Sequence, residues 1–116
     1  MLRFDSAFFL FLILFILSFS TLLLSGARYG FTSGDSMTPT WGEHNLIWGY
    51  IPKNLADVHV GDVIAFSFND YRMVHRVTDI YGDAWIFARG DNPDCGNGQM
   101  LNFSAIEFVV SGHIGF

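Results

Sequence analysis

A serine and a histidine in this chain have the chemistry of a nucleophile and its base. Ser36 opens the tetrapeptide Ser36-Met37-Thr38-Pro39, and His75 follows thirty-nine residues later within Met73-Val74-His75-Arg76-Val77. A serine hydroxyl is a poor nucleophile at neutral pH until a neighbouring base takes its proton, and imidazole is the commonest base in proteins. The pair therefore indicates acyl-transfer chemistry if the fold brings the two side chains together.

Each of these residues also has an ordinary structural interpretation. A serine in this setting is often a turn or cap residue, and a histidine that shares a strand face with apolar neighbours is usually structural. The remaining histidines, His44, His59 and His113, have no motif around them, and we interpret them as surface or structural residues. The histidine spacings fit no standard set of metal ligands, so we expect neither a metal nor a cofactor.

The first quarter of the chain is apolar enough to cross a membrane. Residues 6–27 carry no formal charge, and residues 8–19 are almost all Phe, Leu and Ile. As a helix, residues 6–27 would span about 33 Å, close to the thickness of about 30 Å of a bilayer's hydrocarbon core. The pattern predicts a short tail and a transmembrane anchor within residues 1–27.

A removable signal peptide is the alternative for this segment. Arg3 provides a basic start, and Ser25-Gly26-Ala27 provides small residues of the kind found at cleavage sites. However, the apolar stretch continues to about Leu24, which is longer than the roughly 7–15 residues typical of a signal peptide. We therefore expect a retained anchor, with a short cytosolic tail and the remaining residues on the extracytoplasmic or lumenal face.

Composition excludes several classes of function. The net charge is −5 with only six basic residues, so the chain lacks the basic surface that a nucleic acid requires. The single cysteine, Cys95, excludes an internal disulfide and a cysteine-based zinc site. The size leaves an oligomer or companion subunits open.

Short β-strands are predicted after the anchor, so we expect residues 28–116 to form one small, mainly antiparallel β domain. Residues 62–68 and 73–80 read as a hairpin around the turn signal Asn69-Asp70, followed by strands at 84–88 and 106–111. We interpret residues 28–34 as a juxtamembrane connection and the Gly-, Asn- and Asp-rich residues 89–102 as a loop with a functional or turn role. Trp41, Trp48 and Tyr50 either pack in the core or rest at the membrane interface.

Four stretches, in this order, resemble the type I signal peptidase family, the membrane-anchored serine proteases that remove signal peptides. They are Ser33-Gly34-Asp35-Ser36-Met37-Thr38-Pro39, Gly61-Asp62-Val63-Ile64-Ala65-Phe66, Val74-His75-Arg76-Val77 and Arg89-Gly90-Asp91-Asn92. The resemblance implies that Ser36 is the nucleophile and His75 the base, as in the histidine branch of archaeal and endoplasmic-reticulum members. Lys53, the only lysine, lies in the wrong stretch to serve as the base of a serine–lysine dyad.

The resemblance also implies an acidic residue that orients the imidazole, and two candidates remain. The histidine branch generally has an aspartate directly after the glycine of its acidic stretch and another about six residues on. Asp91 fills the first position, Asn97 stands at the second, and Asp94 is the nearer acid. A further departure is Gly34, which occupies a position where the family commonly has a serine that assists the oxyanion. We expect the Ser36 backbone N–H to be the first oxyanion donor.

The sequence thus predicts a membrane-bound serine endopeptidase that removes signal peptides from exported precursor proteins through an acyl-enzyme. Its partners would be those precursors and the lipid bilayer. One alternative is a specialised maturation protease with few substrates. Another, from a different class, is a catalytically idle membrane-tethered β module that binds exported proteins.

Overall fold

The computed structural model describes residues 5–116 and begins with a single long helix, α1 (Ser6–Leu24). The Asp5 side chain caps its first turn by accepting a hydrogen bond of 2.8 Å from the Phe8 N–H. Its end is marked by Gly26, whose φ of +99° lies in the region that favours glycine. Arg3, the basic start of the signal-peptide alternative, lies outside the described residues.

The predicted apolar N-terminal helix is present. Its 19 residues extend about 28 Å at about 1.5 Å per residue, which is enough to cross a hydrocarbon core of about 30 Å. None of its residues is buried against the rest of the chain. In the described part of the chain it is the one helix long and apolar enough to span a membrane, although a signal sequence would have the same properties.

Seven strands form one sheet in which every neighbouring pair is antiparallel. This confirms the expected fold class: a mainly antiparallel β domain after one apolar helix. The strand order is β1-β2-β7-β3-β4-β5-β6. The strands are β1 (Ala27–Ser33), β2 (His44–Tyr50), β3 (Val63–Phe68), β4 (Tyr71–Tyr81), β5 (Trp85–Arg89), β6 (Gln99–Asn102) and β7 (Ile106–Gly115).

The predicted hairpin is the pair β3–β4. Asn69 and Asp70 connect the two strands with φ values of 50° and 67°, the left-handed conformation that two-residue hairpin turns require. Residues Ile64 and His75 are direct partners across this pair. The hairpin therefore fixes the position of His75 relative to the core.

Three of the seven strands, β1, β2 and β6, were not predicted. Residues 28–34, expected to be a connection, belong mostly to β1, which pairs with β2 from Ala27↔Tyr50 to Ser33↔His44. The last residues of the expected 89–102 loop form β6, which pairs with β5. Gly30 interrupts the strand-favouring residues Tyr29, Phe31 and Thr32 and weakens the local signal, so the pairing with β2 is what identifies this strand.

The core lies on both sides of β3, because all four residues from Val63 to Phe66 are buried. Ile64 and Phe66 belong to one apolar cluster, and Val63 and Ala65 belong to another. A strand that is covered on both faces has a continuous apolar run instead of alternation. Its neighbour β4, which carries His75, is therefore paired with a strand that is covered on both faces.

Candidate active site

Ser36 lies in the turn between β1 and β2. The Gly34 N–H donates a hydrogen bond of 2.9 Å to the Glu43 carbonyl oxygen and closes the turn at its base. Two apolar side chains of the turn, Met37 and Trp41, are buried in the core, with exposed fractions of 5% and 6%. The turn is thus anchored on both sides of the serine, and Ser36 itself is only half-buried.

His75 is buried on β4, with an exposed fraction of 6%. The edge of its ring meets the Phe66 ring, with 5.8 Å between the ring centroids. Burial lowers the pKa of His75, because removal from water disfavours the charged imidazolium; the Gln99 hydrogen bond and the Asp91 charge oppose this effect but are smaller. The imidazole is therefore neutral at pH 7 and able to accept a proton.

The hydrogen-bond partner of His75 is Gln99, which the sequence analysis did not identify. Its Oε1 atom lies 2.7 Å from His75 Nδ1. An amide oxygen only accepts hydrogen bonds, so Nδ1 carries the proton and the Nε2 lone pair is free. Gln99 is the first residue of β6, and only recognition of that strand could have placed it beside β4 by way of β5.

Asp91, one of the two acids expected to orient the imidazole, instead pairs with Arg76. Its carboxylate accepts from Arg76 Nε at 2.9 Å and from Arg76 Nη2 at 2.8 Å. These bonds are the largest cause that lowers the pKa of Asp91. Asp91 acts on His75 only through space, because its carboxylate is engaged in the ion pair with Arg76.

Asp94, the other expected acid, is exposed in the short 3₁₀ turn Pro93–Cys95. Its N–H donates a hydrogen bond of 3.0 Å to Asn92 Oδ1, which caps this turn. The prediction that Asp91 or Asp94 would hold the imidazole thus differs from the structure, because Arg76 engages the first and the second lies in a surface turn. Gln99 occupies that place.

The Gly90-Asp91-Asn92 stretch holds the turn that carries Ser36 by its backbone. The Asn92 N–H donates to the Ser36 carbonyl oxygen at 2.9 Å, and Asn92 Nδ2 donates to the Asp35 carbonyl oxygen at 3.0 Å. A Cβ atom on Gly90 would overlap the Ser36 carbonyl oxygen and lie 3.3 Å from Ser36 Cβ. Glycine is needed here because the two backbones pack directly against each other.

Ser36 and His75 line the same cleft, which has a volume of about 430 Å³. Residues 30–33 of β1 and the following Gly34 form one wall, residues 72–75 of β4 form the other, and the ion pair of Arg72 with Glu107 borders the cleft. Within residues 5–116 no hydrogen bond joins the two catalytic candidates directly. Such bonds are often long in hydrolases without substrate and tighten when substrate binds.

The other histidines lie elsewhere. His113 stacks on Trp41, with ring centroids 4.5 Å apart, and His44 stacks on Phe116. His59 Nδ1 lies 3.6 Å from Asp62 at the surface. Among the described residues no group of three or more His, Cys, Asp or Glu side chains could hold a metal ion.

No protein-family model, curated protein or solved structure matches the chain. What remains is the arrangement itself: an apolar helix, a β domain joined to it, and a cleft lined by Ser33, Ser36 and one neutral, oriented histidine. Any function must be argued from that geometry.

Proposed function

We propose that the protein is a membrane-tethered serine endopeptidase of signal-peptidase type. The observation that carries the proposal is that Ser36 and His75 line one cleft while Gln99 holds His75 Nδ1. A buried neutral imidazole with a free Nε2 is what a serine hydroxyl needs as a base. The resemblance of four sequence stretches to that family supports the same reaction.

The mechanism follows ordinary acyl transfer. His75 Nε2 takes the Ser36 hydroxyl proton as Oγ attacks the scissile carbonyl carbon, and the imidazolium then gives that proton to the leaving amine. Water, activated by the same imidazole, hydrolyses the ester and releases Ser36. The Ser36 N–H, which makes no hydrogen bond to another described residue, is available to the oxyanion.

The substrate would bind as an extended strand between the two walls of the cleft. β1 is the first strand of the sheet, so one of its edges is unpaired within residues 5–116. On the opposite wall, residues 71–75 of β4 precede the segment that pairs with β5. Backbone hydrogen bonds to these edges would give affinity, and the apolar floor formed by Ile47, Ala65 and Phe108 suits small side chains.

The test is cleavage of a precursor bearing a small-x-small site by the full chain in detergent or vesicles. We expect Ser36→Ala and His75→Ala to lower kcat by at least about 10³-fold, since residues of a catalytic unit each remove most of its rate. Matched controls are the exposed Ser111→Ala and His59→Ala, which should retain full rate. Undiminished cleavage in Ser36→Ala or His75→Ala would overturn the assignment.

The neutral Gln99 favours one second candidate, a β module that binds exported proteins without cutting them. A carboxylate at His75 Nδ1 would stabilise the imidazolium during reaction, and the amide does so less. Under this candidate the wild-type chain binds the precursor at the cleft and leaves it intact. The cleavage assay therefore separates the two, and a narrow precursor range would indicate a specialised maturation protease.

A further inference from the structure

One face of the β1–β2–β7 part of the sheet is apolar and exposed. It contains Phe31 at 71% exposure, Ile114 at 58% and Phe116 at 77%. We call this surface the aromatic face; its members are Tyr29, Phe31, Leu46, Trp48, Tyr50, Ile114 and Phe116. Tyr29 lies opposite Trp48, and Phe31 lies opposite Leu46, so their side chains share one side of the sheet.

The aromatic face carries few of the polar side chains that an exposed strand face normally presents to water: at its register positions in β1 and β2 only Ser33 and His44, which pair with each other at one end, are polar. Ile47, which lies between Leu46 and Trp48 in β2, points to the opposite side of the sheet and is buried in the core. The aromatic face is therefore the outer side of this part of the sheet. No Asp, Glu, Lys or Arg occupies a register position on the aromatic face. Trp48 lies flat over Gly112, where an added Cβ would meet the indole at 2.5 Å. A contiguous exposed apolar surface of this kind marks a site of contact with a membrane or with another protein.

The apolar helix is joined to the edge of this face. The Ile51 N–H donates a hydrogen bond of 2.8 Å to the Gly26 carbonyl oxygen, and Arg28 Nη1 donates one of 2.7 Å to the Leu23 carbonyl oxygen. The Tyr29 ring contacts the Phe19 ring, with 6.1 Å between centroids. Phe19 lies more than one turn before the end of α1, so Tyr29 packs beside the apolar segment itself.

We propose that the aromatic face rests on the lipid bilayer, so that β1 runs along the membrane surface. Tyr and Trp rings are favoured at the boundary between hydrocarbon and water, and the face continues from a helix that is long enough to cross it. The seven residues of β1 extend about 23 Å at about 3.3 Å per residue. An upright β1 would carry Ser36 that far from the bilayer, whereas a β1 lying flat keeps the cleft at the surface.

The first experiment uses two tryptophans with similar exposure, Trp48 at 40% and Trp85 at 49%. The full chain is reconstituted in phosphatidylcholine vesicles with and without brominated acyl chains, which quench only fluorophores that enter the bilayer. We expect Trp48→Phe to lose at least half of the quenchable fluorescence and Trp85→Phe to lose none. The proposal is overturned if Trp48→Phe keeps the quenchable fraction of the wild-type chain.

A second measurement does not depend on tolerance of a change at Trp48. In a Cys95→Ser background, a nitroxide label is placed at Phe31→Cys on the aromatic face or at Tyr81→Cys on the β4–β5 hairpin. We expect the label at position 31 to be accessible to oxygen and shielded from an aqueous nickel chelate, and the label at position 81 to show the reverse. Equal accessibility at both positions, or shielding from both reagents at position 31 as in a contact between two copies, would contradict the proposal.

Neither measurement uses cleavage. Failure of the bilayer contact would therefore leave the proposed peptidase chemistry untouched, and loss of cleavage would not explain a change in quenching.

Discussion

The contact between His75 and Gln99 sets the acid–base behaviour of the site. A glutamine side chain orients the imidazole through Nδ1, as an aspartate would, but it brings no negative charge. Burial lowers the pKa of His75 below its ordinary value of about 6.5, and only the more distant Asp91 charge and the hydrogen bond oppose this. The neutral imidazole of His75 therefore persists at pH values at which the histidine of a triad with a carboxylate would already be protonated.

This balance predicts opposite behaviour for two substitutions of Gln99. Gln99→Glu places a carboxylate on the imidazole, stabilises the imidazolium and raises the pKa of His75, so the acidic limb of the kcat/KM profile moves up by about 1 pH unit. Gln99→Ala removes the orienting bond and should lower kcat about 10²-fold without raising that limb. Both outcomes are read from kcat/KM measured between pH 4.5 and 8.

The matched control is Gln99→Asn, which keeps the amide on a shorter side chain. It should lower the rate while leaving the acidic limb where the wild-type chain has it. An unchanged limb in Gln99→Glu would show that Gln99 does not act on the base.

The segment around Gly90-Asp91-Asn92 works as a clamp for the turn that carries Ser36. Asn92 bonds to the backbone of Ser36 and Asp35, Gly90 allows the close approach, and Asp91 ties the segment to β4 through Arg76. Asp91 and the nearby Asp94 therefore have different roles, although they are only three residues apart. Asp91 connects the segment to β4 through Arg76, and Asp94 belongs to the surface turn that follows the segment.

Comparison of Asp91→Asn with Asp94→Asn tests this difference. Asp91→Asn removes the charge opposite a half-buried Arg76 and should lower the free energy of unfolding by about 1–3 kcal/mol, with reduced cleavage, because hydrogen bonds to charged groups are the stronger ones. Asp94→Asn should change the free energy of unfolding by less than about 0.5 kcal/mol. Chemical denaturation in one detergent, followed by tryptophan fluorescence, gives both values.

The pH dependence of stability supplies an independent check on Asp91. Arg76 lowers the pKa of Asp91 in the folded chain, so the ionised carboxylate adds to the free energy of unfolding. This stabilisation is complete above the ordinary carboxylate pKa of about 4 and is lost as the pH falls below it. The free energy of unfolding of the wild-type chain should therefore exceed that of Asp91→Asn at neutral pH and approach it at pH values below about 4. An equal loss of stability in both aspartate variants at pH 7 would be inconsistent with the clamp.

The attachment of α1 to the sheet bears on whether the anchor is retained. Ala27, where a signal peptidase would cut, is the first residue of β1 and pairs with Tyr50. Gly26 is bonded to Ile51, so a peptidase would have to detach the start of the sheet to reach this bond. We expect the anchor to stay on the mature chain.

The intact mass of the chain extracted from membranes checks this expectation. A mass that includes residues 1–27 agrees with it, and a mass that begins at Arg28 contradicts it. The Ser36→Ala chain serves as a control, because a cut that disappears in this variant is made by the protein itself.

Several features could be predicted from local patterns. The apolar run of α1, the turn signal Asn69-Asp70 between β3 and β4, and the motifs around Ser36 and His75 all depend on residues close together in the chain. Periodicity and composition report such features directly. The approximate position of the base on a buried strand also followed from alternation along β4.

The remaining features depend on contacts between distant segments, which local patterns do not encode. β1 exists because it pairs with β2, and β6 exists because it pairs with β5. Gln99 reaches His75 across twenty-four residues through that pairing, and Arg76 takes Asp91 away from the imidazole. The amino-acid sequence alone was enough to predict the apolar helix and to single out Ser36 and His75 as candidates for nucleophile and base, since each is a local signal. The identity of the group that orients the base was decided by tertiary structure, because only the folded sheet determines which side chains compete for the same imidazole nitrogen.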